Sequence, residues 1–137
     1  MLLKIKNITD VITNSSSEVF IIDTGSARDL CNKNEEYSEN FHIRVLTKEF
    51  LQEPGIYAKP ILEACGLIGK ISHEQYAKMT YDYLEEDEWL EIYQKFEKEI
   101  DEKLLDTCCL LTIENHFPDC EYTYEEARFN ALWAEYN

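Results

Sequence analysis

The sequence predicts an α+β fold, a small and mainly antiparallel sheet covered by helices, in a single domain over residues 1–137. Segments with the two-residue period of strands come first, segments with the period of helices follow, and one strand pattern returns late. The 137 residues suit one domain, and an apolar share of 45% suits a packed core. Glycine and proline number only four and three, and no linker rich in them divides the chain.

The strand segments are short and differ in their patterns. Residues 3–6 and 41–46 alternate apolar and polar side chains, as half-exposed strands do. Residues 19–22 and 108–113 are apolar runs, typical of strands buried on both faces. Residues 13–17 form a turn cluster of threonine, asparagine and serines between the first two strands.

The first helical segments are recognised by their ends. Ser26 is placed to cap a short helix that runs to Cys31. Residues 47–52 predict a single helical turn, and residues 59–65 predict a helix that ends at Gly66.

The later helices are recognised by capping boxes and stripes. The capping box at residues 72–75 begins a helix that extends to about residue 85. Residues 87–106 follow as a helix with one apolar stripe: Trp89, Tyr93, Phe96, Ile100 and Leu104. A second capping box at residues 123–126 predicts a last helix with an aromatic face: Phe129, Leu132, Trp133 and Tyr136. Such a face is buried in the domain or covered by a partner.

Charge excludes several classes of function. The net charge is −15, of which residues 82–137 carry −13 and residues 1–81 carry −2. A surface this acidic repels phosphates, so direct binding of nucleic acid or of an anionic membrane is not expected. No apolar run is long enough to span a membrane, and the first residues show no secretory signal. A cytoplasmic location is therefore expected.

Residues 85–106 hold ten acids and three lysines. On a helix the acids would recur about every 3.3 Å of axis, close to the ~3.4 Å between phosphates along one DNA strand. One hypothesis is that this helix imitates nucleic acid and occupies a basic groove. Alternatively it is a solubilising face, because Glu91 with Lys95 and Glu99 with Lys103 have favourable i,i+4 spacing. The predicted partner-binding residues are Glu88, Glu91, Asp101, Glu102 and, as an aromatic anchor, Trp133.

The cysteines and the last loop offer a weaker enzymatic alternative. The five cysteines are odd in number and contain no C-x-x-C pair, so buried free thiols are expected. His116 and Cys120, with Cys108 or Cys109 upstream, have the atom types of a zinc site, but no second clean pair supports it. A small hydrolase or metal-dependent enzyme would instead use His116 with its acidic neighbours, Glu114, Asp119 and Glu121. We expect neither a metal nor another cofactor.

Residues 4–20, KIKNITDVITNSSSEVF, resemble the opening of small acidic, mostly uncharacterised proteins of bacteriophages and mobile elements. Small size and strong acidity are also similar to phage proteins that block host defence nucleases by imitating nucleic acid. The resemblance brings no catalytic motif. It implies a non-enzymatic protein-binding module, acting as an inhibitor on the basic surface of a host protein.

Overall fold

The structure, a computed structural model, describes residues 17–82, 84–114 and 117–136. Its elements confirm the predicted α+β class. The chain divides into two compact units: unit 1 comprises residues 1–44 and 109–137, and unit 2 comprises residues 45–108. The predicted strand at residues 3–6 and nearly all of the predicted turn at 13–17 lie outside the described residues.

Unit 1 is built on a four-stranded sheet with the order β2-β3-β1-β4. The strands are β1 (Ser17–Asp23), β2 (Phe41–Val45), β3 (Cys108–Glu114) and β4 (Trp133–Tyr136). Strands β1 and β4 are antiparallel, with Ile21 opposite Trp133. The predicted strands at 19–22, 41–46 and 108–113 are thereby confirmed.

Two helices pack in unit 1, α1 (Thr24–Lys33) and α6 (Cys120–Asn130), and a 3₁₀ segment spans Glu35–Asn40. Their apolar faces join the strands in one core. Its buried members are Phe20, Ile22, Ala27, Leu30, Phe41, Cys109, Leu111, Ile113, Phe117, Cys120, Tyr124 and Ala127.

An ion pair also connects β1 and α6. Arg128 donates from Nη2 to Oε2 of Glu18 at 2.6 Å and from Nε to Oε1 at 3.2 Å. Burial raises the pKa of Glu18, and the hydrogen bond from Arg128 opposes that shift. Glu18 is one of the few buried polar residues of the described chain, and the guanidinium compensates its charge.

Unit 2 is helical. It contains α2 (Lys48–Gln52), α3 (Ala58–Ala64), α4 (His73–Tyr81) and α5 (Glu86–Leu104), with 3₁₀ turns at Gly55–Tyr57 and Ile68–Lys70. The predicted capping box of α4 is present, since Ser72 Oγ accepts from the backbone N–H of Gln75 at 3.1 Å. The backbone of Gly66 takes the left-handed conformation after α3, with φ +70°.

The predicted stripe of α5 is confirmed. All five of its residues are buried: Trp89, Tyr93, Phe96, Ile100 and Leu104. The indole N–H of Trp89 donates to the carbonyl of Leu51 at 2.8 Å, and the Trp89 ring stacks on Tyr93. The helix has a kink at Phe96, where φ is −115° and ψ is 19°.

Two predicted helix ends were wrong. Helix α1 is capped by Asp23 and not by Ser26, whose backbone N–H donates to Asp23 Oδ2 at 2.9 Å. Hydrogen bonds from the hydroxyl of Ser26 and then from its backbone N–H lower the pKa of Asp23. Helix α4 ends at Tyr81, short of residue 85.

The largest error concerns the last helix, which begins at Cys120 and ends at Asn130. Thr123 is buried inside this helix and does not cap it. Trp133 and Tyr136 lie in β4, so they share no helical face with Phe129 and Leu132. The backbone of Ala131 is extended, with ψ 147°. Strand β4 covers the edge that β1 would otherwise leave unpaired, and this pairing outweighs further helix.

Candidate protein-binding surface

Two of the four acids predicted to bind a partner are held inside unit 2. Glu88 accepts from Nζ of Lys78 at 2.7 and 2.9 Å, and its side chain also accepts from the backbone N–H of Glu85. The hydrogen bond from Lys78 is the main cause of the lowered pKa of Glu88. Asp101 accepts from Lys48 and from the hydroxyl of Tyr93.

The Lys48 ammonium is shared by two carboxylates, Glu97 and Asp101, each at 2.5 Å. These hydrogen bonds raise the pKa of Lys48. Burial, and then the hydrogen bond to Asp101, raise the pKa of Tyr93. The hydrogen bonds of Lys48 join α2 to α5, so Asp101 has a structural role in unit 2.

The other two predicted acids, Glu91 and Glu102, are exposed. Neither makes an ion pair with another described residue. However, Lys95 and Lys98 are exposed between them on the same outward side of α5. The outward side therefore carries charges of both signs, as a solubilising face does, instead of presenting a continuous row of carboxylates.

The division of charge between the units differs from its division along the sequence. Unit 1 has a net charge of −7 and unit 2 of −8. The acidic segment 82–137 is split at residue 108, so its excess of acids is distributed over both units. The charge asymmetry of the sequence is therefore not an asymmetry between units.

The predicted anchor, Trp133, lies on β4 of unit 1 and is half-buried. Its backbone position opposite Ile21 makes it part of the sheet. A tryptophan in this position belongs to the edge strand that completes the sheet of unit 1.

The outward face of α6 presents a different pair of aromatic side chains. Tyr122 is 73% exposed and Phe129 is 89% exposed. They are seven residues apart, so they lie about 10 Å apart along the same side of the helix. The opposite side is the buried stripe that fixes this orientation: Cys120, Thr123, Tyr124 and Ala127.

Acids surround these two rings. Glu121 and Glu125 are exposed on α6, and Glu126 accepts from Lys33 of α1 at 2.7 Å. We name the face formed by Tyr122, Phe129, Glu121 and Glu125 the α6 face. Large exposed aromatic side chains flanked by carboxylates are of the kinds that form contacts between proteins.

Sequence reasoning missed Tyr122 and expected Phe129 to be buried or covered. The signal was available, because Cys120, Tyr124 and Ala127 have i, i+4 and i+7 spacing. That stripe predicts burial of one side and exposure of Tyr122 and Phe129 on the other. The aromatic residues after 130 concealed it by extending the apparent helical pattern into a strand.

The residues of the enzymatic alternative are only partly placed. Glu114 lies at the end of β3 and contacts Nε2 of His42 at 2.8 Å, and this contact is open to solvent. Asp119 precedes α6 in the left-handed conformation, with φ 59°, and Glu121 is exposed in its first turn. His116 lies outside the described residues. The His42–Glu114 contact was not predicted.

The cysteines are in the described part of the chain, and none forms a disulfide. Cys109 and Cys120 belong to the core of unit 1, and Cys108 is also buried. Burial raises the pKa of Cys65 to about 11 and also raises that of Cys120. Over the described ranges, no three side chains of histidine, cysteine, aspartate or glutamate are grouped so as to hold a metal ion.

Comparison of the chain with protein-family models, curated proteins and solved structures finds no match. In the part that the structure describes, no helix combines the length and apolar character needed to cross a membrane.

Proposed function

We propose that this protein is a non-enzymatic, cytoplasmic protein-binding module that engages a basic surface of a partner protein. The α6 face carries the proposal. Phe129 is 89% exposed although it follows a well-buried stripe on the same helix. Burying a phenylalanine in a contact is favourable by roughly 1.5–3 kcal/mol, so this ring is a candidate anchor.

Charge complementarity favours a basic partner over a second copy of this chain. Two copies would each bring a net charge of −15 to the contact, and their acids would repel. Glu121 and Glu125 beside the rings would instead attract lysine and arginine side chains of a partner.

Exposed acids of α5 would act at longer range. Glu91 and Glu102 are exposed and supply steering, whereas Glu88 and Asp101 contribute less because lysines already neutralise them. Inhibition of a host nucleic-acid-binding or defence protein is the finer proposal. The lysines on the outward side of α5 favour steering over strict imitation of a phosphate row.

The test is affinity capture from a bacterial lysate, with three baits compared by mass spectrometry. The baits are the wild-type protein, the Phe129→Ala/Tyr122→Ala variant and Tyr81→Ala. Tyr81 is 87% exposed in unit 2, so it is a matched exposed aromatic outside the α6 face. We expect a protein captured by the wild type and by Tyr81→Ala, and lost with the double variant. Equal capture by all three baits contradicts the proposed anchor.

The kinetics of the captured protein test the electrostatic part. Association should slow markedly between about 50 and 200 mM salt, as the Debye length falls from about 14 to 7 Å. Reversing Glu91 and Glu102 to lysine should slow association more than reversing Glu35 and Glu36. An association rate that is independent of salt contradicts steering, and the absence of competition by duplex DNA contradicts nucleic-acid mimicry.

A further inference from the structure

A cavity of about 200 Å³ lies in unit 2, between the turn that follows α2 and the first turn of α5. Its walls are mainly apolar, and two carboxylates lie among them. The apolar lining residues include Pro54, Ala58, Leu84 and Trp89, and the two acidic ones are Glu53 and Glu86.

The apolar wall of this cavity is held in place. Trp89 is 3% exposed, and its indole N–H is already bonded to the carbonyl of Leu51 at 2.8 Å. Pro54 and Ala58 are buried next to it, and Pro54 restricts the backbone of the turn. The cavity therefore does not depend on a mobile side chain for its shape.

The two carboxylates are available to a ligand. Glu53 and Glu86 are exposed, and neither side chain makes an ion pair with the rest of the described chain. The first turn of α5 also carries Asp87, whereas Glu88 is paired with Lys78. These acids outweigh the partial positive charge of the helix N-terminus, so a cation is favoured here.

We propose that this cavity binds an arginine side chain of the basic partner, an inference that rests on the proposed function. The three methylene groups of arginine suit the apolar wall, and the planar guanidinium suits pairing with the carboxylates. The cavity volume is sufficient for one such side chain. Arginine is also favoured over lysine where a flat, weakly hydrated cation lies against an aromatic wall.

The test uses the free protein, so it does not require the partner. N-acetyl-arginine amide is titrated into ¹⁵N-labelled protein, and the indole N–H signal of Trp89 is followed by NMR. The signal is assigned with Trp133→Phe, which leaves Trp89 as the only tryptophan. We expect a saturable shift with a Kd on the order of 1 mM, reasonable for so small a ligand.

Two comparisons decide the chemistry. N-acetyl-citrulline amide has the same shape without the charge and should bind at least tenfold more weakly, and the lysine amide about threefold more weakly. Glu53→Gln/Glu86→Gln should weaken arginine binding about tenfold. Glu74→Gln/Glu99→Gln removes the same charge from exposed positions of unit 2 that do not line the cavity and should change binding less than twofold.

Several results overturn the arginine site. The first is a Trp89 signal that does not shift. The second is a citrulline or lysine amide that binds as tightly as the arginine amide. The third is an equal loss of arginine affinity in the two double variants. If the Glu53/Glu86 double variant does not fold, each single variant should weaken binding about threefold, and unchanged binding in both overturns the site. Failure here leaves the α6 face intact, since lysate capture tests that face separately.

Discussion

Helices α5 and α6 both bury an apolar stripe, but they differ in what they leave outside. No large apolar residue of α5 is exposed, and its outward side carries both glutamate and lysine. Helix α6 leaves Tyr122 and Phe129 exposed beside carboxylates. Charge alone maintains solubility and attracts partners weakly, whereas charge beside an exposed aromatic ring provides a contact. The comparison therefore favours α6, the less acidic of the two helices, for the proposed anchor.

The sharpest test of this comparison is a pair of phenylalanine substitutions. Phe96→Ala removes a buried ring of α5 and should lower the free energy of unfolding by about 3–5 kcal/mol. Phe129→Ala removes an exposed ring of α6 and should change it by less than about 0.5 kcal/mol. Urea melts measure both. Similar losses of unfolding free energy would mean that Phe96 and Phe129 do not differ in burial.

The second prediction concerns the ion pair that connects α6 to β1. Arg128→Met leaves Glu18 buried without its cation and should cost about 3 kcal/mol at pH 7. Burial raises the pKa of Glu18, and loss of Arg128 raises it further. Protonation then stabilises the folded variant, so the deficit should shrink as the pH falls from 7 through that raised pKa.

Melts at pH 7 and 5 measure this deficit, and the Glu18→Gln/Arg128→Met variant is the control. We expect the double variant to recover part of the loss at pH 7. A deficit that is the same at both pH values would show that the charge of Glu18 is not its cause.

The third prediction separates the acids of α5. Glu88→Lys/Asp101→Lys places positive charges beside Lys78 and Lys48 and should lower the melting temperature. Glu91→Lys/Glu102→Lys makes the same change in net charge and should shift it by less than about 2 °C, since those side chains are exposed. Calorimetry of both variants distinguishes structural from exposed acids. Equal shifts would contradict the assignment.

The fourth prediction tests whether the two units form the single domain that the sequence predicts. Trp89→Phe leaves Trp133 as the fluorescent probe of unit 1, and Trp133→Phe leaves Trp89 as that of unit 2. In each variant, fluorescence and far-ultraviolet circular dichroism should give one coincident urea transition. Transitions that separate would show that the units unfold independently.

The smallest expected effect concerns the thiols. All five should react with Ellman's reagent in urea, and purified protein should contain no stoichiometric zinc. In the native protein Cys65 should react slowly, because a pKa of about 11 lowers its thiolate fraction near pH 8 by about 100-fold relative to a pKa of 9. Rapid reaction of Cys65 would mean that this part of unit 2 opens readily.

Periodicity predicted those elements whose apolar pattern follows from burial, on one face in α5 and on both faces in β1. The stripe of α5 and the run in β1 are examples, because burial alone determines their patterns. It was wrong for residues 131–136, where aromatic residues favour both strand and helix patterns and the pairing of β4 with β1 decides between them. That pairing joins residues more than 100 positions apart, so no local window contains it.

The acids proposed to contact a partner can be named from the sequence, but their positions and contacts in the fold cannot. Strong acidity led to the prediction of a basic partner. The spacing of the acids did not show that Lys78 forms an ion pair with Glu88 and Lys48 with Asp101. The exposed ring of Phe129 depends on where α6 ends, and that boundary depends on the sheet.

The order of strands has a consequence for synthesis on the ribosome. Strands β1 and β2 emerge early but are not neighbours, since β3 lies between them in the sheet. All of unit 2 is translated before β3, and its two ends meet where the backbone N–H of Leu46 donates to the carbonyl of Cys108 at 2.9 Å. The sheet therefore cannot form completely until more than sixty further residues have been translated after β2. The helices of unit 2 consist only of those inserted residues, so they can pack together before β3 is made.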